Sequence, residues 1–263
     1  GFVPASPSLK ARLLRPLVLG GLRLVLRGRS SVVLVQNPDD RAVIARLGVA
    51  PDRIAMVRGN GVDLERFAPG PEPDGPVRVS LVARLIREKG VDEFVAAARA
   101  IRRQRDDVVF TLVGDPDGGN PSAVPVEQLR AWQDEGVVEW RGFTDDVPAV
   151  WAASHVAALP SFYGEGVPKS LIEAAACGRP IVTTDMPGCR EIGRDGVNAL
   201  LVPPRDAGAL AAAISRLADD PSLRARLGAA GRRIAEHEFS DARVAAETLA
   251  LWRAVLAGGT VHV

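Results

Sequence analysis

The chain has 263 residues, 47% of them apolar and 25% charged, and a net charge of +1. These values are ordinary for a globular protein and allow one large or two medium domains. Its two cysteines, Cys177 and Cys189, exclude a disulfide framework and a four-cysteine metal site. We therefore expect a protein of the reducing cytoplasm.

The amino-terminal stretch is basic. The first 38 residues contain no acid and six cations, which are Lys10, Arg12, Arg15, Arg23, Arg27 and Arg29. Leucines and arginines recur at helical spacing from Leu9 to Arg27, which predicts an amphipathic helix that is broken or kinked around Pro16 and Gly20-Gly21. Two interpretations stay open: an ordinary packed surface helix, or a helix that makes peripheral contact with anionic lipid through residues 9–27.

The same stretch argues against a membrane span and a secretory signal. Its longest apolar run, Pro16 to Leu22, holds seven residues between two arginines, which is too short to cross a bilayer. Arginines interrupt the apolar part, and no small-residue cleavage site follows. The chain begins at Gly1 without a methionine, and we expect it to be part of a longer protein.

The next elements form a βαβ pattern that starts partway through a domain. The sequence predicts a strand at Ser31–Gln36, a helix at Asp39–Leu47 and a strand at Ile54–Arg58. The glycines around Asn60 are not a dinucleotide fingerprint, because Leu64 occupies the third glycine position. The proline-rich linker from Pro69 to Pro76 then marks a domain boundary, which divides the chain into residues 1–68 and 69–263.

After the linker, strands and helices alternate regularly. This alternation predicts an α/β fold with a doubly wound parallel sheet, followed by a helical tail. The predicted strands are Val77–Ala83, Val108–Val113, Val137–Trp140, Val156–Leu159, Ile181–Thr184 and Ala199–Val202. The predicted helices are Val91–Gln104, Val126–Glu135, Val147–Ala153, one from Pro168 to Gly178, Ala207–Leu217, Leu223–His237 and Asp241–Leu256.

Ligands of such sheets bind outside the carboxyl ends of the strands. The residues that directly follow the predicted strands are Arg84, Gly114-Asp115, Arg141-Gly142-Phe143, Glu165-Gly166 and Asp185. Arg84 and Lys89 would present two cations to a diphosphate at this edge. Because Arg and Lys after a strand are commonly just solvated, this pair alone does not decide the function.

Two acids stand out in the stretch from Pro160 to Glu191. Glu165 lies in a glycine loop, and Glu173 follows after seven residues in a helix with apolar neighbours. The first turn of that helix, from about Val167 to Ser170, offers free backbone N–H groups and the charge of Lys169 to an anion. A buried Glu173 needs a partner or a ligand, although a glutamate in an alanine-rich helix is usually solvated or salt-bridged.

The string EGVPKSLIEAAACGRPIV resembles the E-x7-E signature of the retaining nucleotide-sugar glycosyltransferases of family 4, which have the GT-B fold. The similarity covers almost the whole chain. It implies that residues 69–263 form the carboxyl-terminal nucleotide-sugar donor domain. Residues 1–68 match only the back portion of the amino-terminal acceptor domain.

The resemblance also implies roles for single residues. Arg84 and Lys89 would bind the donor phosphates, Glu165 the transferred sugar and Glu173 the ribose hydroxyls. Gly166, Val167 and Pro168, followed by Lys169 and Ser170, would lie beside the sugar and the phosphates, and the loop that contains Phe143 near the base. Asn60 belongs to a segment that the family places at the interdomain cleft, and Gly114 follows a strand at the same edge.

The expected partners are a nucleotide-sugar donor, with UDP as the expected nucleotide, and a glycan or lipid-linked acceptor at the inner face of the membrane. No cofactor, metal or nucleic-acid partner is expected, since the tryptophans suit the core. The alternative is a divalent ion on Asp115-Pro116-Asp117, although a turn of this composition is far commoner. His155, His237 and His262 match no catalytic histidine of the family.

Three functions therefore remain. The first is a retaining, metal-independent glycosyltransferase in polysaccharide synthesis, for which this chain alone lacks the acceptor site. The second is a nucleotide-sugar-binding module without catalysis. The third is a GT-B epimerase, for which the sequence offers few acids and no suitable histidine around the sugar.

Overall fold

A computed structural model describes residues 9–26 and 32–257 of the chain. Short strands alternate with helices along most of it. The strands are β1 Val33–Val35, β2 Ile54–Met56, β3 Val77–Val82, β4 Val108–Val113, β5 Glu139–Trp140, β6 Val156–Leu159, β7 Ile181–Thr184 and β8 Ala199–Val202. The α-helices are α1 Leu9–Leu26, α2 Pro38–Arg46, α3 Val91–Arg102, α4 Val126–Asp134, α5 Val147–Ala152, α6 Lys169–Ala176, α7 Cys189–Ile192, α8 Ala207–Asp219, α9 Pro221–Glu238 and α10 Asp241–Leu256.

The larger sheet has six parallel strands in the order β5-β4-β3-β6-β7-β8. The chain builds outward from β3 to β5, then returns to place β6 on the other side of β3. The strand order therefore reverses between β3 and β6, where ligands bind in open α/β sheets. The predicted doubly wound parallel sheet is confirmed.

The core lies between this sheet and the helices around it. Every residue of β6 and β7 is buried, which requires cover on both faces, as is usual for parallel strands. Helix α3 packs against α8, and α6 packs against α9. Phe94 and Phe110 meet edge to face with ring centroids 5.5 Å apart, in the geometry that aromatic pairs prefer.

The smaller sheet pairs β1 and β2 in parallel, with Val33 opposite Ile54. Helix α2 joins the two strands, and the Asn37 side chain caps its start by accepting a hydrogen bond from the Asp40 N–H at 2.8 Å. The last helix, α10, returns to this region, because its Leu251 packs with Ala55 and Val57. The end of the chain therefore contacts residues that precede the proline-rich linker.

Apart from shifts of one or two residues at the ends of elements, the structure differs from the predicted elements in three places. Helix α1 continues through Pro16 and both glycines to Leu26, because an interior proline removes one hydrogen bond without always ending a helix; Arg27 lies outside the described residues. Cys189 starts the short helix α7, where no helix was predicted. Residues 137 and 138 precede β5, which begins at Glu139.

Several leucines of α1 are exposed, among them Leu13, Leu17 and Leu24. Within residues 9–26 and 32–257, no helix combines the length and apolar character that crossing a membrane requires. The domain boundary at residues 68 and 69 stays a prediction.

Candidate functional site

The predicted site residues gather at the point where the strand order reverses. Arg84 follows β3 and Glu165 follows β6, and these two strands are neighbours in the sheet. Lys89 ends a short 3-10 turn, Arg87–Lys89, after β3. Because all six strands are parallel, their carboxyl ends lie at one edge and bring these side chains together.

A cavity of about 550 Å³ opens at this edge; we call it the acid-loop cavity. Nine of the predicted site residues line it, from both sides of the proline-rich linker. Its lining includes Asn60, Arg84, Lys89, Glu165, Gly166, Val167, Pro168, Lys169 and Ser170, together with Gln36, Val82 and Ala83.

A second cavity, of about 520 Å³, continues from the first and is called the Phe143 cavity here. The two share Val82, Ala83 and Arg84 in their walls, so they form one cleft. Gly114 and Phe143 line the second cavity, and Phe143 is 68% exposed. Volumes of this size are typical of small-molecule sites, and an exposed ring beside apolar walls suits a flat ligand.

Lys89 and Glu165 form an ion pair inside the acid-loop cavity. The Lys89 ammonium donates a hydrogen bond to Glu165 Oε2, and the Ser161 hydroxyl donates to Glu165 Oε1 at 2.9 Å. Both charged side chains are largely buried. Each charge therefore compensates the other, and a ligand that pairs with one of them must leave the other a partner.

Arg84 is paired with the aspartate that the alternative metal site would need. Its Nη1 donates to Asp117 Oδ2 at 2.7 Å, and the Arg84 side chain is 66% exposed. Within the part of the chain that the structure describes, no group of three or more His, Cys, Asp or Glu side chains is placed to hold a metal. Metal independence stays a prediction, which a chelator can test.

Glu173 is set apart from the other predicted residues. It is 8% exposed on α6 and lines neither cavity. Its burial raises the pKa of the carboxyl above the ordinary value, while the charges of Lys169 and Arg66 lower it less. The Lys169 ammonium lies 3.9 Å from Glu173 Oε1 and also lines the acid-loop cavity, so the carboxylate lies one side chain away from the cleft.

Two glycines allow the loop that holds Glu165, called the acid loop here, to take its position. A Cβ on Gly166 would come within 1.8 Å of Gln36 Oε1. A Cβ on Gly188 would lie 2.3 Å from the carbonyl oxygen of Gly166 and 2.5 Å from that of Glu165, and Gly188 has a φ of +83°. A larger residue at Gly166 would therefore force the Gln36 side chain to move, and one at Gly188 would displace the backbone of the loop that holds Glu165.

Gln36 and Gly188 were missed by sequence reasoning. Gln36 directly follows β1, and the rule that residues after parallel strands meet at one edge had been applied only to the larger sheet. Gly188 lies in the segment TDMPGC, which contains no recognised motif. Nothing in that segment indicates that its α-carbon touches the acid loop.

Neither cysteine is suited to nucleophilic chemistry. Cys177 and Cys189 are buried and unpaired, and burial raises the pKa of each thiol to about 11. Both are therefore protonated at neutral pH. The acid-loop cavity offers cations, one carboxylate and backbone N–H groups of α6, which suits binding and stabilising an anion.

Comparisons with known proteins bear on the family and the fold. The family model described as "Glycosyl transferases group 1" matches residues 76–220, more than half of the chain. A sucrose-phosphate synthase from Thermosynechococcus elongatus superimposes with a TM-score of 0.81 at 26% identity, over 98% of this chain and 66% of its own. Anabaena HepE, solved in complex with UDP and glucose, gives a TM-score of 0.74 at 23% identity, over 88% of this chain and 67% of its own. Such neighbours confirm the α/β, GT-B-like fold class.

Two curated relatives are similar in sequence. An N,N'-diacetylbacillosaminyl-diphospho-undecaprenol alpha-1,3-N-acetylgalactosaminyltransferase from Campylobacter jejuni is 29% identical over 83% of this chain and 59% of its own. An MMP alpha-(1->4)-mannosyltransferase from Mycolicibacterium hassiacum is 32% identical over 89% of this chain and 56% of its own. The chain thus spans less than two thirds of the length of these relatives. On the match to its central region and this sequence similarity, the chain belongs to the group 1 glycosyl transferases.

Proposed function

We propose that this chain binds a nucleotide diphospho-sugar in the cleft and, within a complete enzyme, supports transfer of the sugar with retention to a hydroxyl acceptor. One observation carries the proposal. Arg84, the Lys89–Glu165 pair and the first turn of α6 line one cavity at the point where the strand order reverses. That arrangement offers three sources of positive potential to a diphosphate and a carboxylate to a sugar.

The diphosphate would bind by competing for cations that are already paired. Arg84 would exchange Asp117 for a phosphate oxygen at little cost, since the pair is exposed and such pairs contribute little. Lys89 would keep Glu165 nearby and gain the phosphate as a second acceptor. An ammonium has three donors, so it can serve both.

Cleavage of the bond between the anomeric carbon and the diphosphate oxygen leaves negative charge on the leaving group. Arg84, Lys89 and the amino-terminal end of α6 would stabilise that charge as it develops. Glu165 would contact the transferred sugar. In a retaining reaction the acceptor attacks from the face of the leaving group, and a donor phosphate oxygen would help to take its proton.

The remaining contacts are with the base and the ribose. Phe143 and Gly114 would lie near the base, because they line the end of the cleft away from Glu165. Glu173 would accept hydrogen bonds from the ribose hydroxyls, which would give its buried carboxylate the partners that α6 does not supply. UDP is the proposed nucleotide, which HepE was solved with. A relative from Mycolicibacterium smegmatis is described as GDP-mannose-dependent, so GDP is the competitor to test.

The same chain supports a second candidate, a nucleotide-sugar-binding module that does not turn over alone. It spans 59% or less of its curated relatives, and the acceptor side of the cleft is represented by few residues such as Gln36 and Asn60. Activity of the whole enzyme and binding by this chain are therefore separate questions.

Calorimetry with UDP, GDP, ADP and UDP-glucose, each with and without EDTA, tests the proposal. We expect UDP and UDP-glucose to bind, no effect of EDTA, and no multiple-turnover transfer by this chain alone. Absence of nucleotide binding at millimolar concentration contradicts the proposed function. Sustained transfer by the purified chain contradicts the restriction to binding.

The proposed acceptor is a glycan or a lipid-linked sugar on the cytoplasmic face of a membrane. The Campylobacter jejuni relative is named for a diphospho-undecaprenol compound, and α1 exposes leucines on a basic stretch. We predict that the chain binds anionic vesicles and that added salt releases it. Sedimentation with neutral and anionic vesicles measures this, and equal retention on both would contradict a lipid-contacting α1.

A further inference from the structure

A third cavity lies at the opposite edge of the larger sheet; we call it the back cavity. His155 directly precedes β6 and Pro180 directly precedes β7, so the amino ends of these strands form its floor. Helix α9 and the first residues of the proline-rich linker complete the walls. The cavity has a volume of about 380 Å³ and shares no lining residue with the cleft.

Three arginines line the back cavity, and two of them form an ion pair and two or more further hydrogen bonds. Arg224 donates to both oxygens of Glu72, at 2.5 and 2.8 Å, and to the carbonyl oxygens of Leu217 and Ala218. Arg232 pairs with Glu236 and donates to three more carbonyl oxygens, those of Leu64, Phe67 and Ala176. These two side chains are structural: Arg224 fastens the linker to α9 through Glu72, and Arg232 fastens α9 to the segment before the linker and to the end of α6.

Arg179 differs from both. It is 4% exposed, and among the described residues no carboxylate lies within ion-pair distance of it. Its Nη2 donates to the carbonyl oxygen of Pro71 at 3.0 Å and approaches that of Ala152 at 3.5 Å. Its buried Nε has no hydrogen-bond partner, and no described residue accepts a hydrogen bond from Nη1. Burial also lowers the pKa of this guanidinium.

Anchoring of the linker does not account for this side chain. The contact with Pro71 uses one of three guanidinium nitrogens, and a buried charge without a counter-charge is costly. The single acid of the cavity, Glu72, is held by two hydrogen bonds from Arg224. The cavity therefore has an excess of positive charge, with unused donors in the one arginine that lacks an acid.

We propose that the back cavity binds a phosphate group, either inorganic phosphate or a phosphomonoester, with Arg179 as its main donor. The planar fork of a guanidinium matches two phosphate oxygens. The cavity is larger than one phosphate and lies in the size range of small-molecule sites, so a phosphomonoester also fits. The bound group would contact linker residues Pro69 and Gly70 and would hold the linker to the sheet.

The cleft is itself expected to attract phosphate, so the test begins from a variant with an emptied cleft, Arg84→Ala/Lys89→Ala. Calorimetry with inorganic phosphate and, separately, glycerol 3-phosphate is run against chloride at matched ionic strength. We expect both double-variant and original chains to bind phosphate with the same affinity at the back cavity. Tighter binding of glycerol 3-phosphate would assign the site to phosphomonoesters, and tighter binding of phosphate to the free ion.

Two changes in the cavity then test the assignment. Added to the double variant, Arg179→Gln should weaken phosphate binding by about tenfold or more. Arg233 is an exposed arginine of α9 outside the cavity, so Arg233→Gln should not change phosphate binding. Arg179→Gln also removes the Pro71 contact, so a second variant is needed that leaves Arg179 in place. Ala229→Glu places a carboxylate at an exposed position of the cavity. It should weaken binding by about tenfold, and the neutral Ala229→Gln by much less.

The proposal fails if the double variant does not bind either phosphate compound. It also fails if adding Arg179→Gln to the double variant leaves phosphate binding as tight as before, or if Ala229→Glu and Ala229→Gln behave alike. These outcomes do not depend on nucleotide binding, so failure here leaves the proposed function untouched.

Discussion

The two edges of the larger sheet use arginine in opposite ways. At the carboxyl edge, Arg84 is mostly exposed and has a single acid partner, Asp117. At the amino edge, Arg224 is 6% exposed and makes hydrogen bonds to one carboxylate and two carbonyl groups. An exposed cation with one partner can exchange it for a ligand, whereas a buried and saturated one holds the structure together.

The largest effect should come from the saturated arginine. Arg224→Met leaves Glu72 without its cation and two carbonyl groups of α8 without donors. We expect a loss of about 2–4 kcal/mol of stability, which corresponds to a fall of about 5–10 °C in Tm. Thermal unfolding followed by circular dichroism measures it. Arg233→Met on the same helix should change stability by less than about 0.5 kcal/mol, and equal effects of the two would remove the contrast between the edges.

At the cleft, loss of a cation should weaken binding more than folding. Lys89→Ala should reduce the affinity for UDP by about 1.5–3 kcal/mol, the value of a charge-assisted hydrogen bond. Some stability should also be lost, because Glu165 keeps a largely buried charge. Arg87→Ala, which removes a neighbouring exposed cation paired with Asp92, is the matched control in calorimetry. Equal loss of affinity in both variants would contradict a specific role for Lys89.

The two acids of the E-x7-E pair should respond in opposite directions when each is changed to glutamine. Glu165→Gln removes the partner of Lys89, so Tm should fall while UDP binds as well as before or more tightly, and UDP-glucose should lose about 1–2 kcal/mol. Glu173→Gln removes a buried, weakly paired charge, so Tm should rise while UDP itself binds less tightly. If Glu165→Gln weakens UDP binding as much as Glu173→Gln does, the assigned roles are wrong.

The smallest predicted effect is a pH dependence. Burial raises the pKa of Glu173 above the ordinary value of 4.5, so the folded chain binds this proton more tightly than the unfolded chain. Its contribution to stability is present at low pH and is lost as the pH rises through the raised pKa. Glu173→Gln should therefore raise Tm by about 2–4 °C at about pH 7 and have little effect near pH 4.

An exposed glutamate supplies the control of opposite sign. The hydrogen bond from Arg99 lowers the pKa of Glu135 below its ordinary value, so its contribution is present at neutral pH and is lost as the pH falls. Glu135→Gln should then lower Tm slightly at neutral pH and have no effect in acid. Parallel curves for the two variants would contradict the assigned cause for Glu173.

Most of the larger sheet could be predicted from the sequence because its strands are short, apolar and buried on both faces. Four of them, Val108–Val113, Val156–Leu159, Ile181–Thr184 and Ala199–Val202, begin and end at the predicted residues. Strand β5 was predicted too long, since Val137 and Val138 are buried without pairing in the sheet. A pattern of apolar residues predicts which residues are buried, but it does not predict which of them form hydrogen bonds with a neighbouring strand.

The positions of site residues could be predicted where they depend on the strand that precedes them. They could not be predicted where they depend on contacts between residues far apart in sequence. Arg84 and Glu165 lie in the segments that follow β3 and β6, so one rule places both at the same edge. Other features of the site depend on residues that are far apart in sequence. They are the pairing of Lys89 with Glu165, the contact of Gln36 with the acid loop and the distance of Glu173 from the cavities. Only tertiary packing determines them, as it determines the return of α10 to the smaller sheet.

The two buried thiols have a practical consequence for measuring motion in the cleft. A thiol with a pKa of about 11 is thiolate in only about one molecule in ten thousand at pH 7, and maleimides react with the thiolate. A cysteine introduced at the exposed Phe143 would therefore take up a fluorophore without background labelling of Cys177 or Cys189. Fluorescence can then report whether nucleotide changes the surroundings of this position, in a chain that keeps its native cysteines.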